Sequence, residues 1–137
     1  MLKRDYLLKM LQEFMSGISQ LLDSDKGEQE KEQDLDYFYT HYLNQKRDYF
    51  INLPLEELNN YLSQFTEQEL AYRLALIAEV LYHDTVLTKD PLLKRNLAIK
   101  SAYSYEQLTL VDHTYSLERQ NRIAQLNRWA KKELKPQ

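Results

Sequence analysis

The chain has 137 residues, a net charge of −3 and no cysteine; that length suits one domain with one core, and the missing thiols exclude disulfides, thiolate metal sites and cysteine nucleophiles. Two glycines and three prolines are too few punctuators for the turns of a β-sandwich or barrel, so an all-α fold is expected. No apolar run approaches the roughly 18 residues of a membrane span, and Lys9, Gln12 and Glu13 interrupt the first segment before a signal-peptide core can form, which points to a cytoplasmic protein with no membrane partner.

The first predicted element covers about residues 2–22. Leu7, Met10, Leu11, Phe14, Ile18, Leu21 and Leu22 gather on one side of a helix, with Asp5, Lys9, Gln12, Glu13, Ser16 and Gln20 opposite. Exposed to water, the apolar side would make a patch unusual for a soluble monomer, so this helix is expected to dock on the body of the fold or on a second copy. A flexible acidic connector follows at about 23–33, where Asp23, Asp25, Glu28, Glu30 and Glu32 outnumber Lys26 and Lys31. A second helical pattern then runs through Leu35, Phe38, Tyr39, Tyr42, Tyr49 and Phe50. Tyr37, Tyr39, Tyr42 and Tyr49, four of the chain's eleven tyrosines, are expected to pack this helix at the edge of a thin core. Asn52 and Pro54 open a short third helix with Leu55, Leu58 and Leu62 on its face.

The last three of about six helices carry clearer signals. Thr66 and Glu69 read as a capping box opening a helix to about Leu87. Thr88, Lys89 and Asp90 make a turn, after which Asp90 caps and Pro91 starts a helix to about Asp112. So short a turn predicts an antiparallel hairpin. Stripes of small residues, Ala71, Ala75 and Ala78 leading to Tyr82 and then Ala98 and Ala102 leading to Tyr105, predict close approach of helices. The helix from Pro91 is apolar on more than one side and is expected to sit between neighbours, with Leu92, Ile99, Tyr103 and Leu110 along one of its faces. Ser116 caps a final helix bearing Ile123, Leu126, Trp129, Ala130 and Leu134.

The opening Met1-Leu-Lys-Arg-Asp-Tyr-Leu-Leu, the stretch from Tyr37 to Leu62 and the two long helices between Glu69 and Val111 together resemble a family of short bacterial helical proteins known only as a domain of unknown function, near the tetratricopeptide-like superfamily. The resemblance implies antiparallel helical hairpins with tetratricopeptide-like packing and a cytoplasmic bacterial protein, and offers no catalytic residue to carry over. Ala98, Ala102 and Tyr105 match the spacing of the repeat's second helix loosely, and the Trp-Leu-Gly-Tyr pattern of its first helix is absent.

Chemistry is sparse. His41, His83 and His113 fall in separate segments without the spacing of a metal site, and the chain has no glycine-rich phosphate loop, nucleophile elbow or paired-carboxylate motif. No enzymatic activity, cofactor or metal is expected. Three readings remain. The first is an interaction module binding a protein partner or forming a homo-oligomer, with a candidate groove floor at Asn96, Lys100, Tyr103 and Gln107 on the fifth predicted helix. The second is nucleic-acid binding by Arg119, Arg122, Arg128, Lys131, Lys132 and Lys135, with Trp129 for stacking. The third is a small-molecule sensor with its ligand between helices. The acidic pI of 5.6 and the absence of a nucleic-acid-reading motif argue against the second, so no nucleic-acid partner is expected.

Overall fold

The computed structural model describes residues 3–23 and 25–131, within which the chain forms seven helices and no strand: α1 (Lys3–Asp23), α2 (Glu28–Leu43), α3 (Arg47–Asn52), α4 (Leu55–Leu62), α5 (Glu67–Leu87), α6 (Pro91–Asp112) and α7 (Leu117–Lys131). The fold is all-α, as the scarcity of glycine and proline requires. Expectations at Leu134 and for the bases Lys132 and Lys135 lie outside the described residues.

Helix α5 is the centre of the structure. Its residues from Leu74 to Thr85 are buried almost without a break, because α6 packs along one side, α1 along another and α2 along a third. The caps follow local chemistry. Thr66 Oγ1 accepts from the Glu69 amide at 3.3 Å, Asp90 from that of Leu93 at 3.3 Å, and Ser116 from that of Arg119 at 3.2 Å. Each satisfies an amide that the first helical turn leaves unpaired. The α5–α6 hairpin closes through Thr88, whose amide bonds the Asp84 and Thr85 carbonyls.

The small-residue stripes do two jobs. Ala78, Ala98 and Ala102 form a core with Tyr105, Ile123 and Leu126 where α5, α6 and α7 meet. The approach there is close enough for Ser101 Oγ to donate to the Ala78 carbonyl at 3.0 Å. Ala71 and Ala75 pack instead against the larger core, to which α1 to α6 all contribute.

Helix α1 docks on α5 and α2 through Leu7, Phe14, Ile18 and Leu21, so its apolar side is covered by the body of the fold. Phe14 meets Phe38 and Tyr42 edge to face, at 5.8 Å and 5.0 Å between ring centres. Gly17 sits in this contact: a Cβ there would lie 3.4 Å and 3.5 Å from carbons of the Phe38 ring, ordinary packing distance. Because glycine in a helix interior costs about 0.5–1 kcal/mol relative to alanine, Gly17→Ala is expected to stabilise the protein by about that amount. A lowered urea midpoint would show that the Phe38 ring cannot accept the methyl group.

Three expectations change in this half of the chain. Residues 28–33 of the expected connector form the first turns of α2, where Glu28 and Glu30 face the positive end of the helix dipole. The single second helix is broken into α2 and α3 at Asn44, which takes the left-handed conformation (φ 57°), a backbone that asparagine tolerates better than most side chains. Tyr37 also departs from its expected core role: it is 53% exposed and stacks on His41 with ring centres 4.9 Å apart. Tyr39 and Tyr42 are buried.

Candidate interaction surface and the polar networks behind it

Helix α6 carries the candidate residues, and its surroundings divide it into four faces. Leu97, Ser101, Ser104 and Leu108 are buried on the α5 side. Ala98, Ala102 and Tyr105 are buried among Ile123 and Leu126 of α7. The third face carries the polar stripe. Asn96 Nδ2 donates to the Ile51 carbonyl at 3.2 Å, Lys100 Nζ to the Phe50 and Ile51 carbonyls at 2.6 Å and 2.8 Å, and Tyr103 OH to Asn59 Oδ1. These four bonds tie the end of α3 and the middle of α4 to α6. Lys100 is only 6% exposed. Gln107, two turns further on, is partly exposed.

The Lys100 ammonium answers a specific need. A helix leaves its last carbonyls without intrahelical partners; α3 ends at the exposed Asn52, but Phe50 is buried and Ile51 half-buried, and Lys100 supplies a donor to the carbonyls of both. No carboxylate pairs with Lys100 among the described residues, and burial pushes its ammonium below the ordinary 10.5. Lys100→Met keeps most of the stem and removes the donor. It is expected to cost about 1–3 kcal/mol, the penalty for buried carbonyls left unsatisfied, read as a lower urea midpoint at neutral pH. An unchanged midpoint would mean that water replaces the ammonium.

The fourth face of α6 points outward. Leu92 is 64% exposed, Ile99 37% and Leu110 66%, with Tyr103 partly exposed between them and the exposed Arg95 and Glu106 alongside. Other exposed apolar side chains include Leu55 on α4, Tyr115 between α6 and α7, and Leu117 at the start of α7.

Two buried polar networks lie behind these surfaces. At one end of α5, Asp84 is 1% exposed and accepts from Tyr39 OH at 2.6 Å, from Arg47 Nε and Nη2 at 2.8 Å and 2.9 Å, and from Thr88 Oγ1 at 3.0 Å. The paired N–H donors of Arg47 match the two carboxylate oxygens, the strongest geometry available to this pair. Burial first, and then the neighbouring Asp84 carboxylate, push the Tyr39 hydroxyl well above its usual range, so Tyr39 remains a donor. This network floors a cleft of ≈ 500 Å³ rimmed by Glu28, Lys31, Glu32 and Lys89. Both carboxylate oxygens of Asp84 accept hydrogen bonds from within the chain, which leaves it little acceptor capacity toward the cleft.

One turn earlier, Glu79 is 6% exposed. It accepts from Tyr105 OH at 2.7 Å and from Arg122 Nη1, and lies 3.4 Å from His83 Nε2. Arg122 also donates to Tyr105 OH at 3.0 Å and covers the Tyr82 ring at 4.5 Å. Burial pushes the Glu79 carboxyl up, but the His83 hydrogen bond, the Arg122 charge and the Tyr105 hydroxyl together outweigh it and hold the carboxyl below its usual 4.5. His83 Nδ1 is buried and has no hydrogen-bond partner among the described residues.

The three arginines of α7 make side-chain contacts. Arg119 pairs with Asp112 at 3.0 Å, Arg122 with Glu79 and with Glu118 at 3.3 Å, and Arg128 donates to Gln125 at 2.5 Å. Lys94 covers the Trp129 ring at 4.4 Å. His113 ends α6 in the left-handed conformation (φ 55°). Among the described residues no group of three or more His, Asp or Glu side chains is placed to hold a metal ion, and no helix is long and apolar enough to cross a membrane.

The Asp84 and Glu79 networks were not anticipated from the sequence. The signal was present: Glu79, His83 and Asp84 interrupt an otherwise apolar α5, and Glu79 and His83 stand one helical turn apart. Comparisons with protein-family models, with curated proteins and with solved structures give no match to this chain.

Proposed function

We propose that the protein is a non-enzymatic helical interaction module that binds a protein partner or itself through the outward face of α6, in the manner of tetratricopeptide-like helical hairpins and in a cytoplasmic setting. The observation that carries this reading is the row Leu92, Ile99 and Leu110, exposed on a helix whose other faces are covered by α5, α7 and the α3–α4 segment. Apolar side chains left in line on a well-anchored helix gain most by meeting another protein surface, since each removes apolar area from water on association. The rigid networks at Asp84 and Glu79 hold the helices that frame this face and leave it little freedom to rearrange, which lowers the ordering cost of binding.

The alternative nucleic-acid reading is disfavoured by the ion pairs of Arg119 and Arg122, which tie those charges to Asp112 and Glu79. The test of the interaction reading is formaldehyde crosslinking in cells that express the tagged chain, followed by affinity capture and mass spectrometry. Wild type is expected to give a defined adduct, with itself or another protein, that disappears in Leu92→Gln/Leu110→Gln. Identical adduct patterns for the two proteins would overturn the assignment of the α6 face.

A further inference from the structure

The outward face of α6 has an internal symmetry. Leu92, Ile99, Tyr103 and Leu110 are separated by seven, four and seven positions, so the spacing of the row is the same in both directions about its midpoint at Ser101, with leucine at both ends and Ile99 exchanging with Tyr103. The flanking charges are antisymmetric about almost the same point: Arg95 lies six positions before Ser101 and Glu106 five positions after it. Both are exposed, and neither has an ion-pair partner among the described residues. On a helix rising about 1.5 Å per residue, the row is about 27 Å long.

We infer that this face binds the same face of a second copy, with the two α6 helices antiparallel across a two-fold axis level with Ser101, whose own side chain faces α5. The inference rests on the reading of α6 as an interaction surface and names its partner. A two-fold interface must be self-complementary, each residue meeting the counterpart that its own counterpart meets. Antiparallel pairing about Ser101 puts Leu92 against Leu110 of the second copy and Ile99 against its Tyr103, while Arg95 of each copy meets Glu106 of the other. A parallel arrangement would leave Arg95 of one copy about 16 Å along the helix from Glu106 of the other, so the opposite charges could not pair across the seam. The face itself carries one positive and one negative charge, although the chain as a whole is at −3, so two copies meet here with little of the repulsion that their net charge creates elsewhere.

The test is sedimentation velocity of the full chain over a concentration series at about 0.15 M salt, with Arg95→Glu and Glu106→Arg variants, alone, mixed and combined. Wild type is expected to approach twice the 16.5 kDa monomer mass. Each single variant sets like charges against each other and should weaken association at least tenfold. An equimolar mixture of the two restores opposite charges at both contacts and should form heterodimers with close to wild-type affinity, and the double variant should self-associate again. Circular dichroism of each variant at low concentration establishes that the fold is kept. Wild type that stays monomeric into the hundreds of micromolar, or a dimer insensitive to both substitutions, would overturn the inference. A monomer would still leave the crosslinking adduct with another protein as a separate observation, so self-association can fail while the interaction reading stands.

Discussion

Replacing Asp84 with alanine is expected to cost about 3–5 kcal/mol, the range found when one member of a buried ion pair is removed and its partner stays behind without compensation. Asp84 is nearly inaccessible and takes hydrogen bonds from Tyr39, Arg47 and Thr88, so the substitution strands a guanidinium and a tyrosine hydroxyl at the junction of α2, α3 and α5. The arginine side chain is 30% exposed, which gives it a route to water and places the expected cost toward the lower end of the range. Urea unfolding at neutral pH reads the effect, and a loss under about 1 kcal/mol would show that water fills the site. Removing the whole network should be cheaper than removing its acceptor. A Tyr39→Phe/Arg47→Met/Asp84→Leu variant leaves no stranded polar group and is expected to be more stable than Asp84→Ala.

The second large effect belongs to Glu79 and depends on pH. Glu79→Gln removes the charge that Arg122 and Tyr105 are built around and is expected to cost about 3 kcal/mol at pH 7. The folded protein holds this carboxyl below 4.5, its ordinary value. The unfolded chain therefore takes up the proton first as pH falls. The contribution of Glu79 is thus complete above about pH 4.5 and is lost as pH drops through the lower folded value. Wild type and Glu79→Gln should consequently differ most near neutrality and converge in acid. Parallel stability curves between pH 7 and pH 3 would mean that the carboxylate is not the group that Arg122 depends on.

The contrast between these networks and the helices that carry them explains what the sequence made legible. Caps and turns are local: Thr66, the Asp90–Pro91 pair and Ser116 each act within three or four residues, so their patterns can be read without the fold. The amphipathic α1 is legible for the same reason. The boundary at Asn44 was hidden because Tyr42 and Tyr49 stand seven residues apart and continue a helical period by coincidence across the break between α2 and α3. The start of α2 was hidden because its first two turns are mostly solvent-facing and have no apolar period.

Partnership over long distances could not be read. Asp84 meets Arg47 across 37 residues and Glu79 meets Arg122 across 43. Nothing in either segment alone says which acid takes which base. The spacing of Asn96, Lys100, Tyr103 and Gln107 puts them on one side of a helix, yet what covers that side depends on the route of α3 and α4. Lys100 consequently lies against the Phe50 and Ile51 carbonyls, and the openly exposed row of α6 is the adjacent one, Leu92, Ile99 and Leu110.

On the proposal that this row serves association and not folding, the two roles separate in one measurement: equilibrium urea unfolding of wild type and Leu92→Gln/Leu110→Gln at a concentration low enough to keep both monomeric. Leucine and glutamine have similar helix propensities, and both side chains are about two-thirds exposed in the monomer. The two proteins are therefore expected to agree in stability within about 0.5 kcal/mol, the usual scatter of surface substitutions. A loss of about 1.5 kcal/mol or more in the double variant would place these leucines in the folding core of the monomer and contradict the assignment of the outward face of α6 to a partner.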